Sequence, residues 1–308
     1  MVDINKWKES DINVDSLWLI DKRDSSGKHS NTYHGNFIPQ IPYQLISRYT
    51  NPKEIVLELF SGSGTTLFEC EKLKRYYIGF DINKQILLEV KSKMRDSKTP
   101  YIINNCDVVD INKFEKCMES SLKRYRRKKV DFMIAHPPYL DIIRFTNQKE
   151  DLSNITNINV FIEKLMIAFD NALTYLEKGK YFALVMGDVY KNSQVIPLGF
   201  YTMSAIQNTF KVKLKGIVVK NIEGNKGKIG SQGIWRYRAL KSDYFIFKHE
   251  YLMSQSQMSQ SLEKIKKLAK RVHNSKNYLY LPSLVVYLGV WQCSIEYDGV
   301  VCSSALYA

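Results

Sequence analysis

A turn that could hold a flat ring is encoded by residues 131–139. A mostly apolar run of strand length, 131–135, is followed directly by His136, two prolines and Tyr139. Proline lacks the N–H that a central strand needs, so the chain has to leave a sheet here. Each proline fixes its own φ, and a residue before proline is held in extended geometry. The turn is therefore predicted to be rigid, with an imidazole and a phenol that could hold a planar group in one place.

A second set of residues could bind a nucleoside. Gly62 and Gly64 lie between a predicted strand and a predicted helix, where glycine lets the backbone approach a ligand at the helix N-terminus. Asp81 ends the next predicted strand, 23 positions after Glu58, and could accept hydrogen bonds from both hydroxyls of a ribose. Asp107 ends a third predicted strand, where its carboxylate could accept an adenine amino group. This pattern is typical of nucleotide-binding architecture.

The elements that must position these residues alternate between strand and helix. Such alternation predicts an α/β protein with a mainly parallel sheet. Two later strands could pair with each other as an antiparallel edge. The predicted strands are 54–60, 76–80, 101–107, 131–135, 181–186, 212–219 and 244–247, and the predicted helices are 43–49, 67–73, 85–94, 114–125, 160–176 (ended by Gly179), 198–209 and 262–272.

Length and composition limit the class of protein. The 308 residues, 44% hydrophobic and 25% charged, suit one large domain or one domain with an appendage. The sequence has no apolar run near the roughly 20 residues that cross a bilayer and no secretory pattern at its start, so we expect a cytoplasmic protein without membrane contact. The cysteines show no C-x-x-C pair, which argues against a disulfide framework and against a zinc or other metal site. They are Cys70, Cys106, Cys117, Cys293 and Cys302.

The charge is compatible with a polyanionic partner and equally with an ordinary soluble basic protein. Lysine and arginine outnumber the acidic residues by 45 to 31, a formal charge of +14, and neutralised phosphates release counterions. Residues 220–241 mix cations, aromatic residues and glycines, which suits an ordered loop on nucleic acid, although an ordinary hairpin loop has the same pattern. The basic cluster at 123–129 is more typical of a solvated helix end. The candidate nucleic-acid-binding residues are Lys220, Lys226, Lys228, Trp235, Arg236 and Arg238.

Two motifs resemble one enzyme family. The turn His136-Pro137-Pro138-Tyr139 resembles the catalytic motif of the S-adenosylmethionine-dependent DNA amino-methyltransferases, in which Asp, Asn or Ser precedes Pro-Pro-Tyr. Residues 60–66 resemble the cofactor motif of the same family, and the resemblance covers about residues 29–250. It implies a Rossmann-like, seven-stranded class I methyltransferase sheet with a small basic recognition insertion. An NAD-binding protein is disfavoured because Leu67 occupies the position that needs a third small residue.

The resemblance also implies a cofactor and site residues. S-adenosylmethionine would lie against the glycine turn, with a segment like 34–42 packed over its methionine end. Glu58 would lie beneath it, although a hydrogen-bonding role at the helix N-terminus is the alternative. The cofactor-binding residues would be Phe37, Pro39, Glu58, Phe60, Gly62, Gly64, Thr65, Thr66, Asp81 and Asp107, and the catalytic residues His136, Pro137, Pro138 and Tyr139.

The implied reaction is methylation of an exocyclic amino group. Such a nitrogen shares its lone pair with the ring, so two acceptors must hold its hydrogens out of plane. The Pro137 carbonyl and a neutral His136 imidazole could supply them, while Tyr139 stacks on a base extruded from double-stranded DNA. Because the cofactor motif comes first and Leu-Asp follows Pro-Pro-Tyr, N4 of cytosine is slightly favoured over N6 of adenine.

Other substrates and partners stay open at this point. Methyltransferases acting on RNA bases or on protein glutamine share this type of motif, and a non-catalytic nucleic-acid-binding relative would share the fold. A restriction nuclease or a specificity partner would be compatible with a DNA methyltransferase, and the oligomeric state is not indicated. The domain organisation predicted is an N-terminal extension at 1–30, a catalytic domain at 31–252 that includes the 220–241 loop, and a C-terminal basic helix and apolar tail at 253–308.

Overall fold

A computed structural model describes residues 4–30, 32–222, 232–242, 244–258, 293–296 and 299–302. Short 3-10 helices lie at Ile4–Glu9 and Leu152–Asn154. The α-helices are α1 Gln40–Tyr49, α2 Thr65–Lys72, α3 Lys84–Lys93, α4 Ile111–Tyr125, α5 Ile158–Leu173, α6 Leu198–Thr209 and α7 Gln232–Lys241. The strands are β1 Leu17–Trp18, β2 Ile55–Glu58, β3 Tyr76–Asp81, β4 Tyr101–Asn105, β5 Val130–Ala135, β6 Leu176–Met186, β7 Val189–Lys191, β8 Gln194–Ile196, β9 Val212–Asn221, β10 His249–Gln257, β11 Cys293–Glu296 and β12 Gly299–Cys302.

The main sheet has the order β1-β9-β10-β6-β5-β2-β3-β4. Strands β2 to β6 pair in parallel, and β10 is inserted antiparallel between β6 and β9. The chain runs outward from β2 to β4 and then returns to β5 on the other side of β2. In an open α/β sheet, ligands bind outside the carboxyl ends of the strands at such a reversal. The predicted Rossmann-like class is confirmed, with seven strands in the expected arrangement and β1 as an eighth.

The core forms two layers because the central strands are buried on both faces. Ile55 and Leu57 of β2 point to one side, where α4, α5 and α6 pack, and Val56 points to the other, where α1, α2 and α3 pack. Parallel sheets covered in this way need apolar residues at consecutive positions. The apolar runs in the sequence therefore predicted these strands well.

The N-terminal segment joins the sheet rather than standing apart from it. Strand β1 pairs in parallel with β9, so that Trp18 lies opposite Lys220. The Val219 N–H donates to the Ser16 carbonyl at 2.8 Å, and the Ile20 N–H donates to the Asn221 side chain at 2.8 Å. Part of the predicted extension at 1–30 thus covers an edge strand.

Strand β10 lies further along the chain than predicted. The apolar residues 244–247 precede it, and the stretch after Met253, which was predicted to belong to the C-terminal region at 253–308, forms its second half. Ser254, Gln255 and Ser256 pair with both β9 and β6. Backbone hydrogen bonds on both sides outweigh the weak strand preference of these polar side chains.

Two smaller predictions were wrong, and one element had not been predicted. Helix α5 ends at Leu173 and Gly179 lies inside β6, where its φ is +78°. A hairpin of β7 and β8 follows β6, with Asn192 and Ser193 both at positive φ, as a two-residue turn of this kind requires. Residues 232–241, expected in a loop, form α7. Lys226, Lys228 and the predicted helix at 262–272 lie outside the described residues.

Candidate active site

A cavity of about 950 Å³ opens at the carboxyl ends of β2, β3, β5 and β6, where the chain reverses direction across the sheet. Both sets of residues singled out in the sequence line this one cavity. They are Phe37, Glu58, Phe60, Gly62, Thr65, Asp81, Asp107, His136, Pro137, Pro138 and Tyr139. Pro39, Gly64 and Thr66 are not among the lining residues, since Pro39 caps α1 and the other two lie at the start of α2.

The glycine turn between β2 and α2 has the conformation that its sequence predicts. Gly62 and Gly64 have φ values of +46° and +84°, a region that favours glycine. A Cβ on Gly64 would also lie only 2.9 Å from the Cγ1 atom of Val90. Gly64 therefore packs closely against α3, while Gly62 lines the cavity.

Asp81 closes this turn from the neighbouring strand. One of its carboxylate oxygens accepts the Gly62 N–H at 2.7 Å, and the other accepts the Asn83 N–H at 2.8 Å. Burial raises the pKa of Asp81 to about 6, so the group is an anionic acceptor at neutral pH. Asp107 lies beyond the next strand, accepts the Val109 N–H at 2.9 Å and also has a pKa raised by burial.

Glu58 is bound within the protein beneath the turn. The hydroxyl oxygens of Thr66 and Tyr77 each lie 2.5 Å from one of its carboxyl oxygens. Burial raises the pKa of Glu58 to about 8, so the carboxyl group is largely protonated at pH 7. The contact with Thr66 is the helix N-terminal role that the sequence left as an alternative, and Glu58 lines the cavity as well.

The segment at 33–37 covers the cavity and joins its two halves. The ring centroid of Phe37 lies 4.7 Å from that of His136. Tyr33 stacks on Phe145, which follows the proline turn, at 5.7 Å. Gly35 has a φ of +82°, and a Cβ there would meet Phe145 at 2.8 Å. The predicted cofactor side and the predicted catalytic side are thus in direct contact.

The proline turn directs His136 and Tyr139 toward each other. His136 Nε2 lies 3.1 Å from the Tyr139 hydroxyl, and the two rings meet edge to face. The Tyr139 ring lies against Gly187 at the exit of β6, where a Cβ would be 2.8 Å from its Cε2 atom. Burial, with a smaller contribution from Lys220, lowers the pKa of His136 to about 3. The imidazole is therefore neutral at physiological pH.

Two charged residues that sequence reasoning missed as parts of this site meet behind Tyr139. The Tyr139 hydroxyl donates to Glu250 Oε2 at 3.2 Å, and the Lys220 ammonium donates to Glu250 Oε1 at 3.2 Å. Only 4% of Lys220 and 7% of Glu250 are exposed. The sequence placed Lys220 in a nucleic-acid-binding loop, whereas the structure has it buried near the end of β9 and paired with a carboxylate.

The other predicted nucleic-acid-binding residues that fall within the described part of the chain lie on α7. Arg236 is exposed there, as is Tyr237. Trp235 and Arg238 belong to the same helix. Arg236 and Arg238 are not among the residues that line the cavity.

Two negative findings apply to the described ranges. No helix there is both long enough and apolar enough to cross a membrane. Across the same residues, no three His, Cys, Asp or Glu side chains are arranged to hold a metal ion.

Comparison with known proteins supports the resemblance seen in the sequence. The model of a family described as DNA methylase matches residues 2–92, which include the glycine turn and Asp81 but end before His136. The Type II methyltransferase M.MjaII of Methanocaldococcus jannaschii is 30% identical over 110 residues, 31% of this chain and 20% of that protein. The Type II methyltransferase M.BamHI of Bacillus amyloliquefaciens is 33% identical over 98 residues, 30% of this chain and 23% of that protein.

The aligned part of the chain spans about a fifth of the length of these relatives. Among solved structures, an rRNA methylase from Streptococcus thermophilus matches with a TM-score of 0.41 and 12% identity, covering 71% of this chain and 96% of that one. The predicted resemblance to the DNA amino-methyltransferases is confirmed by the family match, and the same match supports S-adenosylmethionine as the cofactor.

Proposed function

We propose, on the premise of this family match, that the protein transfers a methyl group from S-adenosylmethionine to an exocyclic amino group of a base in double-stranded DNA. N4 of cytosine is the favoured target. The observation that carries the proposal is the single cavity shared by the glycine turn and the His-Pro-Pro-Tyr turn. Its volume is at the upper end of the range for ligand pockets, which leaves room for a cofactor and a base together.

The residues present fit the cofactor. Gly62 of the glycine turn lines the cavity, and the Asp81 carboxylate at the end of β3 suits the two hydroxyls of a ribose. Asp107 lies one strand further out, where it could accept an adenine amino group, and Phe37 covers the side nearest His136. S-adenosylmethionine, when bound, supplies an electrophilic methyl group on a sulfonium.

The proline turn prepares the amine for attack. A neutral His136 accepts one hydrogen of the amino group, and the backbone carbonyl of Pro137 accepts the other, so that the nitrogen lone pair leaves the plane of the base. Bound S-adenosylmethionine would supply the methyl group to this nitrogen and would keep the electron pair of the broken carbon–sulfur bond, while the amine would lose one proton to water. Tyr139 stacks on the extruded base and limits its movement.

The choice of cytosine depends on the sequence order. The cofactor motif precedes the catalytic motif, and Leu140 and Asp141 follow Pro-Pro-Tyr. Because His136 stands where Asp, Asn or Ser is expected, N6 of adenine is the nearest alternative target. A cytoplasmic location, and a restriction nuclease or specificity subunit as a partner, belong to the same proposal.

Mass spectrometry of nucleosides tests the proposal directly. The purified full chain would be incubated with labelled S-adenosylmethionine and unmethylated DNA, RNA or denatured protein in parallel. We expect N4-methylcytosine in the DNA sample and no label in the others. N6-methyladenine would change the base but keep the reaction, whereas label only in RNA or protein would overturn DNA as the substrate.

A further inference from the structure

Four side chains form a continuous hydrogen-bonded chain on one wall of the cavity. Lys220 contacts Glu250, Glu250 contacts Tyr139, and Tyr139 contacts His136, with separations of 3.2, 3.2 and 3.1 Å. Glu250 and Lys220 lie directly opposite each other on the antiparallel strands β10 and β9. The register of the two strands therefore fixes the positions of Glu250 and Lys220, from which the hydrogen bonds lead to His136.

The direction of these hydrogen bonds follows from which groups carry hydrogens. The Lys220 ammonium can only donate, so Glu250 accepts through Oε1. A carboxylate cannot donate, so the hydroxyl hydrogen of Tyr139 points to Glu250, which is a stronger acceptor than a neutral imidazole. With its single hydrogen used in this way, the Tyr139 oxygen can only accept from His136.

We propose that Glu250, held by Lys220, is a positioning residue that sets the tautomer of His136 through the Tyr139 hydroxyl. Nε2 of His136 carries the hydrogen, and Nδ1 is left as an acceptor toward the cavity. No hydrogen bond to Nδ1 is present within the described part of the chain. The tautomer of His136 does not depend on the proposed function. The role of Nδ1, which is to accept an amino hydrogen of the base, rests on that function.

The surroundings keep both His136 and Tyr139 in their neutral forms. The low pKa of His136 keeps the imidazole neutral, and burial beside Glu250 raises the pKa of Tyr139, so the hydroxyl keeps its hydrogen. An imidazole whose Nδ1 carried the hydrogen would present a donor to an amine and repel it. The ion pair behind the turn thereby decides whether His136 can replace the acceptor that other members of the family carry at this position.

A Glu250→Gln substitution should reverse the chain of hydrogen bonds while preserving its shape. The Lys220 ammonium would hold the amide oxygen, so the amide NH2 would face the Tyr139 oxygen. The Tyr139 hydrogen would then turn to His136 Nε2, and the imidazole hydrogen would move to Nδ1. The measurement is long-range 1H–15N correlation on the 15N-labelled full chain, with the His136 signals assigned by their loss in His136→Ala.

We expect the Nε2–H tautomer in the unmodified protein and the Nδ1–H tautomer in E250Q. With DNA and saturating S-adenosylmethionine, kcat of E250Q should fall about a hundredfold, as for other positioned proton-handling groups. The affinity for S-adenosylhomocysteine, measured by calorimetry, should change less than twofold. The matched control is Glu54→Gln, which removes a carboxylate paired with Lys180 at 2.9 Å at the opposite end of β2 and should leave both the tautomer and kcat unchanged.

Each result decides a separate part of the inference. An Nδ1–H tautomer in the unmodified protein, or an unchanged tautomer in E250Q, would overturn the role of Glu250. A changed tautomer with an unchanged kcat would overturn the role of Nδ1 in the reaction. If the unmodified protein methylates no DNA, the proposed function fails, while the NMR result still decides the hydrogen-bond chain.

Tyr139→Phe provides a second variant should E250Q fold poorly. Removal of the hydroxyl breaks the path between Glu250 and His136, so His136 should show a mixture of both tautomers. A single Nε2–H tautomer in Tyr139→Phe would contradict the proposal, because His136 would then be set without the tyrosine.

Discussion

Burial shifts the pKa values of three residues that line the cavity. It lowers the pKa of His136 to about 3 and raises the pKa values of Asp81 and Glu58 to about 6 and about 8. At pH 7 the cavity therefore contains a neutral imidazole, a carboxylate and a largely protonated carboxyl group. An imidazole acceptor and a carboxylate acceptor are thus present together in one cavity, and the Glu58 carboxyl group adds little negative charge beneath the glycine turn.

The acceptor role of His136 predicts a difference between two substitutions. His136→Ala removes the acceptor and should lower kcat on the order of 10²-fold, with S-adenosylhomocysteine binding nearly unchanged. His136→Asn supplies an amide oxygen at the same position and should retain most of the activity that His136→Ala loses. Methyl transfer to DNA with labelled cofactor measures both, and equal activity of His136→Ala and the unmodified protein would remove the role given to His136.

Asp81 predicts how cofactor binding depends on pH. Its pKa of about 6 in the free protein means that the carboxylate is lost as the pH falls below 6, and a protonated carboxyl group is a poorer acceptor for two hydroxyls. The dissociation constant of S-adenosylhomocysteine should therefore rise about tenfold for each pH unit below 6, since one proton is linked to binding. Calorimetry between pH 5 and pH 7.5 measures this dependence.

Asp81→Asn is the control for this dependence. It should bind more weakly at pH 7.5 and lose the change around pH 6. A dependence that persists in Asp81→Asn would assign the effect to another group. His136→Ala should keep the dependence of the unmodified protein.

At the scale of the elements, the exit of β6 supports the proline turn. The Tyr139 ring lies so close to Gly187 that a Cβ would approach within 2.8 Å. Gly187→Ala should therefore displace Tyr139 and lower kcat about tenfold or more, because contacts this tight force a side chain out of its place. Gly233→Ala in α7 is the matched control, since a Cβ there meets nothing within 4 Å. Steady-state kinetics of both variants measure this effect, with the melting temperature as a check on folding. Equal activity of the two variants would contradict the prediction.

The sequence predicted the cofactor side of the site because each of its residues stands at the end of its own strand. Gly62, Asp81 and Asp107 can be located from apolar runs and the residues that end them. Glu250 and Lys220 could not be located in this way, since they lie thirty positions apart and meet only through the antiparallel register of β9 and β10. Because β10 is largely polar, the sequence did not predict a strand there, and the pairing of Glu250 with Lys220 could not be predicted either.

At the scale of the whole molecule, the excess of positive charge predicts a salt-dependent association with DNA. The formal charge is +14, and α7 presents Arg236 and Arg238 next to an exposed Tyr237. Replacing both arginines by alanine should weaken DNA binding and reduce the slope of log K against log salt by about 2, one for each phosphate that is no longer neutralised. Binding of a labelled duplex at several salt concentrations measures the slope.

The matched pair for this measurement is Arg127 and Lys128, which are exposed just before the central strand β5, at the amino ends of the parallel strands and away from the cavity. Their double alanine variant removes the same charge from the other side of the protein. It should leave the slope nearly unchanged. Equal reductions of the slope in both double variants would mean that DNA binding follows total charge and not α7.

Strand β1 links the N-terminal segment to the candidate site through its pairing with β9. Its two residues pair with the outer edge of β9 next to Lys220. Lys220 is the first of the four hydrogen-bonded side chains that end at His136. A cleavage after residue 20, or a fusion that displaces this segment, would expose the edge of β9 to water and to pairing with strands of other molecules. Loss of this segment, more than a hundred positions before the proline turn, would then alter the hydrogen bonding of His136 and leave the glycine turn intact.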